Sequence, residues 1–191
     1  KKAQEQELFV VVSVFVNPRQ FGQGDDLTKY PRTLGVDARV LTDAGVDVLF
    51  APSSSEVYPA SGVEEISAGE LGNKFEGASR PGHFDGMLTV VNRLFNLVQP
   101  DVAFFGSKDA QQLVLVSQMV KRQVAHGDRE PIKIIACDTV RDDSGLALSS
   151  RNQRIEKDLL PAAETINKAL FAGSMKKTKQ VKQICQLDIC Q

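Results

Sequence analysis

Four short runs of apolar residues, separated by helix-like stretches, constrain the fold of this chain more than any other feature. Each run is continuous rather than alternating and is rich in Val, Ile, Leu or Phe. Continuous apolar runs of this length are typical of strands that are covered on both faces, as in parallel sheets. The four runs are Leu8–Val16, Val46–Ala51, Val102–Phe105 and Ile132–Cys137.

The stretches between these runs repeat apolar residues every three or four positions, which predicts amphipathic helices. Such faces occur within residues 33–44, 87–98 and 113–120. Strand and helix therefore alternate, which predicts an α/β fold with right-handed crossovers. A small α+β domain built from the same elements is the alternative. Residues 53–82 lack clear periodicity, and we expect there an excursion from the sheet that could carry short extra strands.

Composition narrows the class of protein. Hydrophobic residues make up 42% of the 191 and charged residues 25%, which is the balance of a soluble globular protein with a core. The formal net charge of -1 argues against a broad nucleic-acid or membrane surface. No apolar run reaches membrane-spanning length. The three cysteines provide neither a disulfide framework nor a metal knuckle, so we expect a reducing, cytoplasmic setting.

Polar segments follow three of the apolar runs. In an open parallel sheet, ligands collect beyond the carboxyl ends of the strands. The first segment is Asn17–Gly22, the second is Gly106–Gln112, and the third is Leu148–Asn152, a short way past the last run. Gly106 allows the backbone to approach a ligand closely. We therefore expect the functional site to include these segments.

The second segment has the residue types of an anion site. Ser107 or Asp109 can cap the helix that follows, and a helix N-terminus favours phosphate. Lys108 adds a full positive charge at that position. One of Gln111 and Gln112 should face the pocket, where a neutral amide could bind a hydroxyl or carboxylate. A surface lysine beside solvated glutamines is the alternative interpretation.

The third segment combines two hydroxyls with an arginine. Ser149, Ser150 and Arg151 could clamp a triphosphate, because a guanidinium can contact two oxygens at once. An ordinary helix N-cap at Ser150 is the alternative. Carboxylates in the first half of the chain, including Asp37, could meet a magnesium ion or could be surface groups.

Taken together, the segments resemble those of one family, the pantothenate synthetases, also called pantoate–β-alanine ligases. The resemblance covers most of the chain, from Val10 to Asn152, and the order of the segments makes it far more specific than any single motif. The matching segments are Phe15–Gly22, Asp26–Leu27, Tyr30–Thr33, Leu49–Pro52, Val57–Pro59, Arg80–Gly86, Thr89–Val91, Leu94–Asn96, Phe104–Asp109, Gln111–Leu113 and Gly145–Asn152.

The resemblance implies a Rossmann-like parallel sheet with flanking helices, of the nucleotidyltransferase type. It also implies an ATP-dependent ligase of coenzyme A biosynthesis. In that reaction ATP adenylates pantoate and releases pyrophosphate, and β-alanine then attacks the pantoyl adenylate to give pantothenate and AMP. Mg²⁺ accompanies the triphosphate. A cytoplasmic homodimer, with no nucleic-acid or membrane partner, is the expected form of the enzyme.

The resemblance also implies roles for individual residues. Gln20 and Gln112 would hold pantoate, and Gln20 would also lie near β-alanine. We place Lys108 and Arg151 as catalytic, because they can stabilise charge at the reacting phosphorus. Asp37 matches a position that is linked to magnesium in some members. The implied ATP-binding residues are Gly106, Ser107, Lys108, Asp109, Val140, Leu148, Ser149, Ser150 and Arg151.

We expect two domains, a nucleotide- and pantoate-binding domain over residues 1–135 and a partial C-terminal domain over residues 136–191. The sequence departs from the family in three ways. The family's first strand, central in its sheet, carries a Met-Gly-x-Leu-His-x-Gly-His motif that meets the ATP phosphates. That motif is not in this sequence, and we expect an N-terminal piece before Lys1. Ser107 stands where the family usually has Glu, and the family's C-terminal domain is longer.

These departures leave two other functions open. One is a non-catalytic fragment or pantoate-binding module that lacks the N-terminal ATP motif. The other is a nucleotidyltransferase that acts on a different carboxylate or phosphate.

Overall fold

The fold is described from a computed structural model, which covers residues 2–20, 33–149, 151–152 and 155–176. The chain divides into two compact units, Lys1–Cys137 and Asp138–Gln191. All four strands belong to the first unit. No helix in the described ranges has the length and apolarity needed to span a membrane.

Each of the four apolar runs contains one strand. The strands are β1 (Val11–Ser13), β2 (Val48–Phe50), β3 (Val102–Gly106) and β4 (Lys133–Cys137). β1 pairs in parallel with β2, and β3 pairs in parallel with β4. Parallel pairs need crossover connections, and helices supply them here. The predicted α/β class, with parallel strands and flanking helices, is confirmed.

The strands form two pairs that share no hydrogen-bonded strand within the described part of the chain. Val11 lies opposite Val48 in the first pair, and Val102 lies opposite Lys133 in the second. Among the described residues, the two pairs are not joined into one ladder.

Six α-helices surround the strands or follow them in the residues that the structure describes. The helices are α1 (Leu34–Asp43), α2 (Ser54–Val57), α3 (Glu76–Ser79), α4 (His83–Val98), α5 (Ala110–His126) and α6 (Leu160–Lys176). Helices α4 and α5 are the long helices of the first unit, and α6 belongs to the second. Short 3-10 helices occur at Gln4–Gln6, Pro18–Gln20, Glu70–Asn73 and Ser107–Asp109.

The core of the first unit lies mainly between α4 and α5. Leu88 from α4 and Leu115 and Met119 from α5 are among its largest fully buried side chains. Burying a side chain of this size contributes about 2 kcal/mol, so the packing of these two helices against each other stabilises the unit. The apolar face predicted for residues 87–98 includes Met87 and Val91, and both are buried. By contrast, α1 has no buried residue.

The segment from 53 to 82 contains helical turns and no strand, and every one of its residues is described. The expectation of short extra strands there is wrong. Ser53 begins α2 with a capping box, in which its hydroxyl accepts from the Glu56 N–H and the Glu56 carboxylate accepts from the Ser53 N–H. The same segment includes Gly77 at a close backbone contact. A Cβ at this position would lie 1.8 Å from the Gly72 carbonyl oxygen, so only glycine fits at position 77.

A network around Arg129 joins α4 to the end of α5. The Arg129 guanidinium donates to Gln123 Oε1 at 3.0 Å, to Asn92 Oδ1 at 2.7 Å and to Asn96 Oδ1. Gln123 Nε2 also donates to Asn92 Oδ1 at 2.8 Å, and Asn92 is buried. Burial lowers the pKa of Arg129, while Glu64 acts to raise it. The side-chain amides thus satisfy a partly buried cation.

Candidate active site

The carboxyl end of β3 leads directly into α5 through one 3-10 turn. Gly106 ends the strand and is exposed, Ser107 is half-buried, and Lys108 is exposed. Asp109 is the N-cap residue of α5, but its side chain makes no capping hydrogen bond. Of the two residues that could cap this helix, Asp109 therefore does not do so. Its φ of -96° and ψ of 63° depart from the extended backbone that capping residues usually adopt.

Gln111 is built into the protein by three hydrogen bonds. Its Oε1 accepts from the Glu76 N–H at 3.2 Å. Its Nε2 donates to the carbonyl oxygens of Leu71 and Lys74, at 2.8 and 2.9 Å. This one carboxamide therefore ties the turn at residues 71–76 to the start of α5. Of the two adjacent glutamines, Gln111 is the structural one.

Gln112, by contrast, makes none of these hydrogen bonds. Its side chain is half-buried in the first turn of α5. Among the described residues, no hydrogen bond to its carboxamide is found. A half-buried amide in that position has both its donor and its acceptor capacity available to a ligand.

The turn that follows β1 is organised by Asn17, which is 3% exposed. Its Oδ1 accepts from the Tyr58 hydroxyl at 2.7 Å and from the Arg19 N–H at 3.2 Å. Its Nδ2 donates to the Gly86 carbonyl of α4 at 3.1 Å. The 3-10 helix Pro18–Gln20 therefore packs on α4, and Gln20 is its last residue. The Gln20 side chain lies outside what the structure describes.

Tyr58 supports the same turn through its ring. The Arg19 guanidinium lies 4.4 Å from the ring centroid and pairs with Glu65 at 3.0 Å. Phe15 packs on the ring with a centroid separation of 6.3 Å. Burial raises the pKa of the Tyr58 hydroxyl, and the Arg19 charge and the Asn17 hydrogen bond act in the opposite direction.

From the sequence, Asn17 falls within a segment expected to belong to the site but has no assigned role, and Tyr58 is not among the expected site residues. The signal for Asn17 was an amide directly after an apolar run, where a buried polar group needs partners. Tyr58 stands directly before Pro59, in a stretch that lacks clear periodicity. Its link to Asn17 spans 41 positions, so no local pattern reveals it.

In the second unit, Val140 and Leu148 are brought together by a short hairpin. Arg141 and Ala147 form an antiparallel bridge, and the Leu148 N–H donates to the Val140 carbonyl at 2.9 Å. The two apolar side chains are 66% and 53% exposed. Exposed aliphatic side chains on adjacent strands form a surface on which a flat apolar group can lie.

The tip of this hairpin is fixed by Asp142. Its Oδ1 accepts from the Ser144 hydroxyl at 2.7 Å and from the N–H groups of Ser144 and Leu146 at 3.0 Å. These hydrogen bonds, with that of the Ser144 hydroxyl the largest, lower the pKa of the Asp142 carboxyl. The carboxylate form thus stabilises the turn.

Ser149 and Arg151 lie directly after the hairpin. The Ser149 hydroxyl accepts from the Arg151 N–H at 3.2 Å, and the Asn152 side chain donates to the Ala147 carbonyl at 3.0 Å. The Arg151 side chain is exposed. Ser150, which the sequence placed either in a phosphate clamp or at a helix N-cap, lies outside the described residues.

Asp37 lies in the first turn of α1 and is half-buried. Its carboxylate accepts from the Thr33 hydroxyl at 3.3 and 3.4 Å. Within the described ranges, no group of three or more His, Cys, Asp or Glu residues could hold a metal ion. Asp37 therefore suits only the kind of Mg²⁺ site in which phosphate oxygens and water supply most of the ligands.

Comparison with known proteins decides the family. The family profile described as pantoate-beta-alanine ligase matches residues 1–189. The chain belongs to the pantoate-beta-alanine ligase family. The pantothenate synthetase of Streptomyces avermitilis is 54% identical over 165 residues, which are 86% of this chain and 48% of the relative. That of Leifsonia xyli subsp. xyli is also 54% identical over 165 residues, 86% of this chain and 55% of the relative.

Solved structures of pantoate-beta-alanine ligases share the fold. The pantothenate synthetase of Thermus thermophilus has a TM-score of 0.82 and 47% identity, covering 90% of this chain and 60% of that one. The ligase of Francisella tularensis in complex with beta-gamma ATP and β-alanine has a TM-score of 0.77 and 41% identity, covering 87% and 63%. The chain thus spans about half the length of the curated relatives it matches.

Proposed function

We propose that the protein carrying this chain is an ATP-dependent ligase that joins pantoate to β-alanine. The observation that carries the proposal is the start of α5, where Lys108 precedes Gln112, a half-buried amide with no partner among the described residues. Family membership supports the same reaction. A related enzyme in complex with beta-gamma ATP and β-alanine supports the choice of two of the substrates.

The reaction we propose has two balanced steps. A pantoate carboxylate oxygen attacks the α-phosphorus of ATP, a new P–O bond forms, and pyrophosphate leaves with the electrons of the broken P–O bond. The β-alanine amine then attacks the acyl carbon of pantoyl adenylate, the amide forms, AMP leaves, and the amine loses a proton. Both steps are promoted mainly by alignment and by stabilisation of phosphate charge.

In the first unit, the proposed residues contact pantoate and phosphate. Gln112 and Gln20 hold the hydroxyl and carboxylate groups of pantoate through neutral amides. Lys108 brings a positive charge to the turn where α5 begins, and the helix N-terminus adds a partial positive charge. Gly106 allows the nucleotide to approach the backbone, with Ser107 and Asp109 beside it.

In the second unit, we propose further residues that contact the nucleotide. Val140 and Leu148 form the exposed apolar pair on which the adenine can lie. Ser149, Ser150 and Arg151 follow the hairpin and would contact phosphate oxygens, Arg151 through its forked guanidinium. The turn stabilised by the Asp142 carboxylate fixes the hairpin that presents these groups.

Mg²⁺ would enter with ATP, bound mainly by the triphosphate and water. Asp37 is the residue we propose for it, in keeping with the few protein ligands that such ions take. When bound, the ion neutralises triphosphate charge. We also propose a cytoplasmic homodimer, on the basis of the family resemblance and the absence of a cysteine framework.

Pantoate-dependent exchange of pyrophosphate into ATP tests the first step. The natural polypeptide that carries this chain should catalyse the exchange, and Gln112→Ala should abolish this pantoate-dependent exchange. Gln118→Ala is the matched control, because Gln118 is an exposed glutamine on the same helix. Absence of exchange by the natural polypeptide would refute the ligase. Pantoate binding without exchange would support the non-catalytic alternative.

A further inference from the structure

We infer that Tyr58 is a positioning residue for the pantoate site, because it holds the Asn17–Gln20 turn in place against α4. The inference rests on the proposed function, in which Gln20 binds pantoate. Tyr58 acts through its contacts with Asn17 and Arg19.

The hydroxyl contact reaches the least exposed part of the turn. The Tyr58 hydroxyl donates to Asn17 Oδ1 at 2.7 Å, and the same oxygen accepts from the Arg19 N–H at 3.2 Å. Because Asn17 is buried, its amide depends on protein donors and acceptors for hydrogen bonds. Tyr58 therefore fixes the orientation of the amide that begins the 3-10 helix. A rotated Asn17 amide would release both Arg19 and Gly86.

The ring contact holds the outer side of the same turn. The Arg19 guanidinium lies over the Tyr58 ring at 4.4 Å, an arrangement that favours a cation on an aromatic face. The Arg19–Glu65 pair is exposed, so it adds little to the energy. One side chain thus binds the turn at Asn17 and at Arg19, the two residues on either side of Pro18.

Tyr58 can position the turn because its own backbone is held firmly. It follows α2, which begins with the Ser53–Glu56 capping box and ends at the fully buried Val57. Arg93 of α4 donates to the Glu56 and Val57 carbonyl oxygens at 3.2 and 3.1 Å. The orientation of the turn is therefore set by α4 through α2 and Tyr58.

The first test is Tyr58→Phe, which keeps the ring and removes only the hydroxyl. Thr42→Val is the control, because it removes a hydroxyl that donates to the Ala38 carbonyl on the exposed α1. For Tyr58→Phe in the natural polypeptide, we expect the KM for pantoate to rise by about tenfold, the effect of losing one such hydrogen bond. The KM for ATP should stay as in the parent and in Thr42→Val, and the Tm should fall by no more than about 4 °C, the effect of losing about 1 kcal/mol in a chain of this length.

A second variant tests the ring contact without touching the hydroxyl. Arg19→Met removes the cation from the ring, and we expect the KM for pantoate to rise by about threefold. Equal changes in the KM for pantoate and the KM for ATP, together with a lower Tm, would show a purely structural role and overturn the inference. A KM for pantoate unchanged in Tyr58→Phe would overturn it as well.

The parent protein and Gln112→Ala separate the two proposals. Failure of the parent to show pantoate-dependent exchange would refute the ligase function itself. Exchange that is lost in Gln112→Ala but unaltered in Tyr58→Phe would leave the function intact and refute only the positioning role.

Discussion

The adjacent glutamines at the start of α5 should respond very differently to the same substitution. Gln111→Ala removes three hydrogen bonds to backbone groups of residues 71–76. Gln112→Ala removes none that joins it to another described residue. Both positions lie in the first turn of α5, so the gain in helix propensity on changing Gln to Ala is nearly the same and cancels in the comparison.

The loss of stability expected for Gln111→Ala follows from how exposed each of its three hydrogen bonds is. The bond to the Leu71 carbonyl is partly buried and should contribute about 1 kcal/mol, while the two exposed bonds should contribute about 0.5 kcal/mol each. Gln111→Ala should therefore lower the free energy of unfolding by about 2 kcal/mol. For a chain of this length, that loss lowers the Tm by about 4–8 °C. Gln112→Ala should change the free energy by less than about 0.5 kcal/mol.

Two assays on the same proteins test this contrast. Urea unfolding followed by circular dichroism gives the stability, and pantoate-dependent exchange gives the function. Gln111→Ala should lose stability, and Gln112→Ala should lose the pantoate-dependent exchange. Equal destabilisation by the two variants would refute the assignment of the hydrogen bonds to Gln111.

The remaining predictions concern the fold around the site. Gly77→Ala should lower the free energy of unfolding by about 3 kcal/mol, because the new Cβ meets the Gly72 backbone. Gly35→Ala should raise it by about 0.5 kcal/mol, because a Cβ at that helical position has nothing within 4 Å. Urea unfolding measures both changes. Leu88→Ala should lower the free energy of unfolding by about 3 kcal/mol in the same assay, since Leu88 is fully buried. The pKa of Asp142 is lowered in the folded protein, so its carboxylate stabilises the folded turn fully above the ordinary carboxyl pKa. This stabilisation is lost as the pH falls through the pKa that Asp142 has in the folded protein. Asp142→Asn should remove that acid dependence from the amide chemical shifts of residues 144–146, and an unchanged pH profile would contradict this.

The α/β class could be predicted from the sequence because strand burial leaves a local signal. All four apolar runs contain strands, but the run Leu8–Val16 has ladder pairing only over Val11–Ser13. Apolar residues at its end are used for packing instead, as Phe15 packs on Tyr58. A run of apolar residues indicates burial, and burial does not require a strand.

The details of the candidate site could not be predicted in the same way. Which of Gln111 and Gln112 is available depends on the turn at residues 71–76, whose contact with α5 is non-local. The absence of a side-chain cap at Asp109 depends on backbone angles that composition does not fix. Local sequence patterns identified the turns. Tertiary contacts determine which side chain in each turn bonds to the protein and which is available to a ligand.

Helix α5 is fastened at both of its ends, at the first turn by Gln111 and at the last by Gln123 and the Arg129 guanidinium. A shift of the helix along its axis would break the hydrogen bonds at both of its ends. Any adjustment of the Lys108 region to an incoming nucleotide should therefore come from rotation of peptide groups in the single turn before the helix. The backbone of Gln112 would then keep its position on α5 when the ligand binds.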